Sequence, residues 1–283
     1  MQISVILTTH RPRTLIWETL DSLVNQTLEP TLFEIIVVLY GPSGTHLAEI
    51  ADYIAKVNKD VENPPIIRLL YTESESLGVA RNRGIENSTG NYITFVGDKD
   101  TMSPDFLAQL LSTAGLAQLP YELSPVNKLP LVQAYVLNAR PTGVTDNALT
   151  RGYRQCQGLP TIDRKRGMTL LTSTCGKLIP RAIIGDVRYP ERVTSGEDAL
   201  FMTLISPRIK RIRLADPDTI YYRNLGSKEK RKGKSKTKKA FPERLRNVLH
   251  LTFRYTLCLL QPWRYNFIFV LLRIVATLKK FGK

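Results

Sequence analysis

The sequence predicts an α/β protein, a mixed but mainly parallel sheet flanked by helices, that ends in a basic, amphipathic helical extension. Three observations carry that prediction. Short apolar, β-rich runs alternate with helical patterns over the first hundred residues. The composition, 43% hydrophobic and 23% charged with 17 Gly and 17 Pro, is that of a folded core and excludes a disordered or collagenous chain. The net charge of +15 is concentrated at one end: residues 1–206 hold 19 Lys and Arg against 21 Asp and Glu, residues 207–283 hold 21 against 4. A near-neutral body with a basic tail argues against a body-wide nucleic-acid surface and for attachment to an anionic surface.

Each element follows in order. Ile3 to Leu7 reads as a buried strand and not as a secretory leader, because no basic segment precedes it and Thr8-Thr9-His10-Arg11 ends the apolar run. Thr14 to Asn25 repeats Leu15, Ile16, Leu20, Leu23 and Val24 at helical spacing. Strand Glu34–Leu39 stops at Tyr40-Gly-Pro-Ser-Gly and precedes a helix over His46–Val57. Ile66–Tyr71 is the third strand, Gly78–Asn87 the third helix and Asn91–Val96 the fourth strand. Strand and helix in regular succession imply a parallel sheet covered on both faces, and such sheets bind ligands at the carboxyl ends of their strands. The loops to watch are therefore 8–11, 40–44, 72–76 and 97–101. Beyond a helix over Pro104–Leu116, we expect a strand over Leu131–Asn138 and a loop-rich stretch to about Gly167.

The tail divides into a lysine-rich run, Gly226 to Lys239, which reads as a mobile connector, and an apolar part, Val248 to Leu278, broken by Arg254, Pro262, Arg264 and Arg273. A bilayer span needs about 20 predominantly apolar residues, so these segments suit helices lying in a membrane interface better than crossing it. The aromatics Phe253, Tyr255, Trp263, Tyr265, Phe267 and Phe269 fall among apolar residues and not among the lysines, which disfavours nucleic acid as the partner. Three scattered cysteines, Cys156, Cys175 and Cys258, suggest neither a disulfide framework nor a zinc site.

Three constellations could carry chemistry. Gly97-Asp98-Lys99-Asp100 closes an apolar strand, and Asp98 and Asp100 suit a divalent cation bridging phosphate oxygens; the alternative is that Asp98 caps a turn and Asp100 a helix. Gly196-Glu197-Asp198 opens an apolar helix, where one acid can complement the helix dipole and leave the other to accept a proton from a bound hydroxyl. Arg81 and Arg83, in Gly78-Val-Ala-Arg-Asn-Arg-Gly, set cations beside a helix start, as a phosphate site or as a solvated face. Arg164-Lys165-Arg166 reads as a solvated loop. Of the three histidines only His10 lies beside a ligand loop.

In order and spacing these pieces resemble an inverting family 2 glycosyltransferase with the GT-A (Rossmann-like) fold, over residues 3 to 227. The resemblance rests on Ser4-Val-Ile-Leu-Thr-Thr, Leu20-Asp-Ser-Leu-Val-Asn-Gln-Thr, Glu34-Ile-Ile-Val-Val, the run from Gly78 to Ile93, Ser103-Pro-Asp-Phe-Leu, Gly196-Glu-Asp-Ala-Leu-Phe and Tyr221-Tyr-Arg-Asn-Leu-Gly-Ser. It implies transfer of a sugar from a nucleotide-sugar donor to a glycan hydroxyl, with Asp198 as base and Glu197 beside it. Thr8, Thr9, Arg11, Tyr40, Arg81, Asp98 and Lys99 would form the donor site, and Mn²⁺ or Mg²⁺ would be held by Asp98 and Asp100. Two positions depart from the family pattern. Leu39-Tyr40 stands where many members place two aspartates, so Tyr40 would stack on the nucleotide base. Lys99 stands where the metal-holding aspartate is usual, so either a shifted metal or Lys99 itself would stabilise the leaving diphosphate.

The resemblance divides the chain into a catalytic domain, 1–227 (donor half about 1–103, acceptor half about 104–227), a basic linker, 228–240, and a membrane-association segment, 241–283. The expected protein is peripheral on the cytoplasmic side of the membrane, with a lipid-linked or cell-surface glycan as acceptor. A lapsed binding module and a nucleotidyltransferase are the competing classes.

Overall fold

The computed structural model describes residues 1–10, 14–115, 129–226 and 241–281. The lysine run of 228–239 and Arg11 lie outside them.

The first hundred residues alternate as their sequence predicts. Strands β1 (Ile3–Thr9), β2 (Phe33–Tyr40), β3 (Ile66–Thr72) and β4 (Tyr92–Gly97) are separated by helices α1 (Thr14–Val24), α2 (His46–Asp60) and α3 (Leu77–Asn87). All seven residues of β1 are buried, as are seven of the eight in β2, because helices cover both faces of this parallel sheet. Ile16, Leu20 and Leu23 of α1 are wholly buried on one face, and Ser76 caps α3 by accepting a hydrogen bond from Val79 N.

After the short strand β5 (Thr101–Met102) and α4 (Phe106–Ala114), the chain adds β6 (Leu131–Gln133), β7 (Tyr135–Arg140), β8 (Gly143–Thr145) and α5 (Ala148–Cys156). It continues through β9 (Lys177–Pro180), α6 (Arg181–Ile184), α7 (Glu197–Ile205), β10 (Ile212–Leu214) and β11 (Ile220–Asn224). A seven-stranded sheet runs in the order β10-β6-β9-β4-β1-β2-β3, and a smaller one in the order β5-β11-β7-β8. Neighbours β3, β2, β1 and β4 are parallel, whereas β9 runs antiparallel to both β4 and β6.

Two expectations for the acceptor half are corrected. The strand expected over Leu131–Asn138 is two strands in different sheets, parted at Ala134, whose N–H donates to Gly176 O. The loop-rich stretch contains α5, which opens on a reciprocal cap: the Asn147 side chain accepts from Leu149 N and Thr150 N, and Thr150 Oγ1 accepts from Asn147 N. Leu149, Tyr153 and Cys156, at helical spacing, form its buried face.

At the amino-terminal end of the large sheet, away from the ligand edge, the buried Glu34 gathers three elements. Its Oε1 accepts from Ser4 Oγ, Thr89 N and Thr89 Oγ1 at 2.7–2.8 Å, and its Oε2 accepts from Arg68. Burial works against the Glu34 charge, but these donors and the Arg68 cation outweigh it and hold its pKa below the ordinary value.

The tail folds as a helical hairpin, α8 (Phe241–Leu259) and α9 (Phe267–Phe281). Leu251, Tyr255, Cys258, Tyr265 and Val270 pack with Val193 and Leu200 in one apolar cluster, so the hairpin shares a core with α7. Its other faces expose Phe253, Leu260, Trp263, Phe267 and Ile268, Trp263 at 79%. Among the described residues no helix is long and apolar enough to cross a membrane.

Candidate active site

The strand ends bring the first constellation together. Thr8 and Thr9 close β1, Thr8 in register with Gly97 on one side and Val38 on the other. Thr9 Oγ1 donates to Asp98 Oδ2 at 3.1 Å. Tyr40, at the end of β2, stacks on His10 with ring centroids 5.0 Å apart, and its carbonyl lies 2.8 Å from His10 Nδ1. The imidazole can approach this closely because residue 41 is glycine: a Cβ there would fall 2.4 Å from His10 Cε1, and its φ of +80° suits Gly alone. One face of Tyr40 is thus taken by His10, and Tyr40 also packs against the cluster of Ile36, Val38 and Ala80.

Asp98, Lys99 and Asp100 separate into three environments. Lys99 is exposed and Asp98 half-buried. Asp100 is buried and turned back into the fold: Oδ2 accepts from Tyr221 Oη at 2.7 Å and Oδ1 from Asn224 N at 3.0 Å. Gly97 makes room, since a Cβ there would lie 2.9 Å from Asp100 Oδ2. Burial pushes the Asp100 carboxyl up to about 6, against the Tyr221 and Asn224 hydrogen bonds, which lower it. Asp100 therefore pins β11 to the β4–β5 turn, and it caps no helix, since α4 has Asp105 as its N-cap residue.

The second constellation is built where α3, α7 and the segment before β9 meet. Arg81 donates from Nη1 to Asp198 Oδ1 at 2.6 Å and to Glu197 Oε1 at 3.4 Å. Its guanidinium lies 4.9 Å from the Tyr189 ring centre, and Tyr189 in turn stacks on Phe201 of α7 at 4.0 Å. Burial alone would weaken the Arg81 cation; Asp198, Tyr189 and Glu197 hold its pKa above the ordinary value. Thr174 Oγ1 donates to Asp198 Oδ1 at 3.2 Å and Ser173 Oγ to Oδ2 at 3.4 Å. Beneath them Lys177 is completely buried, its ammonium 3.4 Å from Cys175 O. Burial brings its pKa down to about 7, opposed by Cys175 and Asp198.

Arg81, assigned from sequence to the donor phosphates, is thus coupled to the two acids of α7. The two constellations lie within electrostatic reach of one hydroxyl: burial first, then the charge of Asp98, raises the Tyr40 pKa, while Arg81 and Glu197 also act on it. Arg164 donates to Arg264 O in the hairpin turn at 3.0 Å, which ties that basic loop to the tail. Ser173, Thr174, Tyr189, Lys177 and Tyr221 were not singled out as site residues by sequence; the hydroxyl pair Ser173-Thr174 just ahead of a strand is the one local signal.

Among the described residues no three His, Cys, Asp or Glu side chains cluster as a metal site. Of the two acids expected to hold a cation, Asp100 is turned inward, and Asp98, half-buried with its Oδ2 accepting from Thr9, is the one nearer solvent. One carboxylate with diphosphate oxygens and water is an ordinary Mg²⁺ shell, so the residues fit a cation shared with the donor and not an all-protein cage.

Comparison with known proteins bears on the fold that carries these residues. Residues 4–115 match the family model described as glycosyl transferase family 2. Over 113 residues, 40% of the chain, it is 34% identical to EpsH of Bacillus subtilis (strain 168), named as a glycosyltransferase, and covers 30% of that protein. Over 224 residues, 78% of the chain, it is 24% identical to the poly(ribitol-phosphate) beta-glucosyltransferase of Bacillus spizizenii, covering 32% of it. The crystal structure of S. aureus TarS 1-349 in complex with UDP-GlcNAc superposes with a TM-score of 0.70 at 17% identity, over 98% of this chain and 72% of that one. The family 2 match thus lies in the first part of the chain, residues 4–115, and the chain as a whole has the GT-A fold of that crystal structure. It spans about a third or less of the length of these curated relatives.

Proposed function

We propose that this protein moves a sugar from a nucleotide-sugar donor to a hydroxyl of a glycan, with inversion at the anomeric carbon. The observation that supports it best is the placement of Asp198 at the head of α7, bonded to Arg81, with Glu197 beside it and Asp98 both acting on the Tyr40 hydroxyl. The acceptor oxygen bonds to the anomeric carbon as the bond to the diphosphate oxygen breaks, and the acceptor proton passes to the Asp198 carboxylate. Arg81 offsets the repulsion that two adjacent acids would exert on a diphosphate. Thr8, Thr9 and Tyr40, at the ends of β1 and β2, stand on the nucleotide side. A divalent cation held by Asp98 would supply charge neutralisation to the leaving diphosphate, with Lys99 beside it.

The test is turnover of a panel of UDP-, GDP- and dTDP-sugars, with Mn²⁺ and again with EDTA. General-base catalysis is worth about 10²–10⁴ in rate, so Asp198→Asn should lose that much while retaining donor affinity. Wild-type turnover by Asp198→Asn would remove Asp198 from this role, and pyrophosphate among the products would identify a nucleotidyltransferase instead.

We further propose that the hairpin rests on an anionic lipid surface at the cytoplasmic face, close to a lipid-linked or cell-surface glycan acceptor. Exposed Trp263, Phe267 and Ile268 offer the apolar face, and the 21 basic residues of 207–283 supply complementary charge. The protein should sediment with phosphatidylglycerol vesicles and stay in the supernatant when Trp263 and Phe267 are both changed to Glu. Equal recovery of the two proteins would overturn this attachment.

A further inference from the structure

Asn247, on α8, holds the backbone that leads into the catalytic helix. Its Oδ1 accepts from Thr194 N at 2.8 Å and from Thr194 Oγ1 at 3.4 Å, while its Nδ2 donates to Ser195 O at 3.0 Å. Both ends of one amide thus engage two successive residues, a contact that no other side chain in the standard set reproduces at this length. One turn along α8, Leu251 closes on Gly196, where a Cβ would lie 3.1 Å from Leu251 Cδ1. Gly196 sits at φ +94° as the N-cap residue of α7, and Glu197 and Asp198 follow directly. Gly196 has no side chain with which to cap α7, and the tail reaches the entry of the helix through Asn247 at Thr194 and Ser195 and through Leu251 at Gly196.

We propose that Asn247 is a positioning residue of the transfer reaction, acting through the 194–196 backbone to set the direction of Asp198, so that the hairpin is part of the catalytic unit and not only an anchor. The proposal rests on Asp198 being the base, and it places the control of that base on the same helix whose outer side carries the exposed Leu249 and Phe253. The inner and outer sides of α8 thereby join the attachment surface to the reacting group.

Two measurements test it. Asn247→Leu keeps the side-chain volume and removes every polar contact; Asn247→Asp keeps the acceptor for Thr194 N and removes the donor to Ser195 O, a milder change should the first variant fold poorly. Amide hydrogen exchange of the 193–199 peptide should quicken at least tenfold in either variant, with the exchange of β1 and β4 unchanged. Unchanged protection of 193–199 would overturn the proposal irrespective of which residue is the base. With UDP-GlcNAc, or the panel member hydrolysed fastest, Asn247→Leu should lower kcat about tenfold with KM for the donor unaltered. In the Asp198→Asn background the same change should cost nothing further, because a residue acting through Asp198 has nothing left to position. A full tenfold loss in both backgrounds would place Asn247 elsewhere in the mechanism and overturn the proposal. Wild-type rates from Asp198→Asn alone would instead reject the base and leave the exchange result to stand separately.

Discussion

Arg81 and Asp198 lie 117 residues apart in sequence, and 2.6 Å separates Arg81 Nη1 from Asp198 Oδ1. The pair joins α3 to α7, and only 14% of the Arg81 side chain is exposed. Arg81→Met should cost about 1.5–3 kcal/mol, the range for hydrogen bonds to charged groups, read from urea unfolding. Arg81→Lys should recover part of that stability and little activity, since an ammonium cannot keep the planar contact over Tyr189 while reaching both acids. Equal activity of the lysine variant and wild type would show that charge alone suffices.

Asp98 and Asp100 predict opposite phenotypes despite their spacing of two. Asp98→Asn should weaken or abolish the response to Mn²⁺ with the midpoint of unfolding nearly unchanged, because Asp98 is half-buried at the solvent side. Asp100→Asn should leave the metal response intact and destabilise the turn between β4 and β5, where Tyr221 Oη and Asn224 N converge. Titration of activity with Mn²⁺ beside thermal melting of each variant separates them, and a lost metal response in Asp100→Asn would contradict the assignment.

Lys177 predicts a pH dependence of stability with a definite sign. Its folded pKa is lowered from 10.5 to about 7. Between those values the unfolded chain holds a proton that the folded chain lacks, so stability rises with pH across that window. Below pH 7 the cost of the buried charge is fully present. Lys177→Met should flatten the rise and make the protein more stable at pH 7. Urea midpoints at pH 7, 8, 9 and 10 for both proteins provide the check; a parallel rise in the variant would show that another group is responsible.

Glu34 predicts a rise of the same sign at the acid end. Its folded pKa is depressed, so its contribution is present above the ordinary value of 4.5 and is lost as the pH falls through the folded value. Glu34→Gln should remove that acid sensitivity and cost about 1.5–3 kcal/mol at pH 7, where the carboxylate otherwise accepts from Ser4, Thr89 and Arg68. Loss of turnover beyond the fraction unfolded would be unexpected, because Glu34 stands at the far end of the sheet from the site.

The first four strands were legible in sequence because β1, β2 and β4 are buried on both faces and α1 shows a single apolar side, so period and composition coincide there, while the edge strand β3 is marked by its apolar residues alone. The break at Ala134 was not legible: Leu131 to Asn138 is one apolar stretch, and only tertiary pairing assigns its two parts to different sheets. Asp198 and Asp98 were accessible since they sit where strands and helices begin or end. Their partners were not, for Ser173 lies 25 residues from Asp198 and Tyr221 lies 121 from Asp100, and nothing local marks a hydroxyl that will meet an acid across such a gap. Arg81 was recognised but given the phosphates as its partner, because the sequence shows the cation and not the acids folded against it.

The single residue between β6 and β7 also bears on how this scaffold could be recombined. With Ala134 as the whole of the passage between two sheets, a graft that swapped the acceptor half at this point would have no slack in which to absorb a mismatch. Shifting the junction by one residue would invert the inward and outward sides of whichever strand received the change. Chimaeras designed to exchange acceptor preference should therefore carry both strands together, from before Leu131 to beyond Arg140, and place their seams elsewhere.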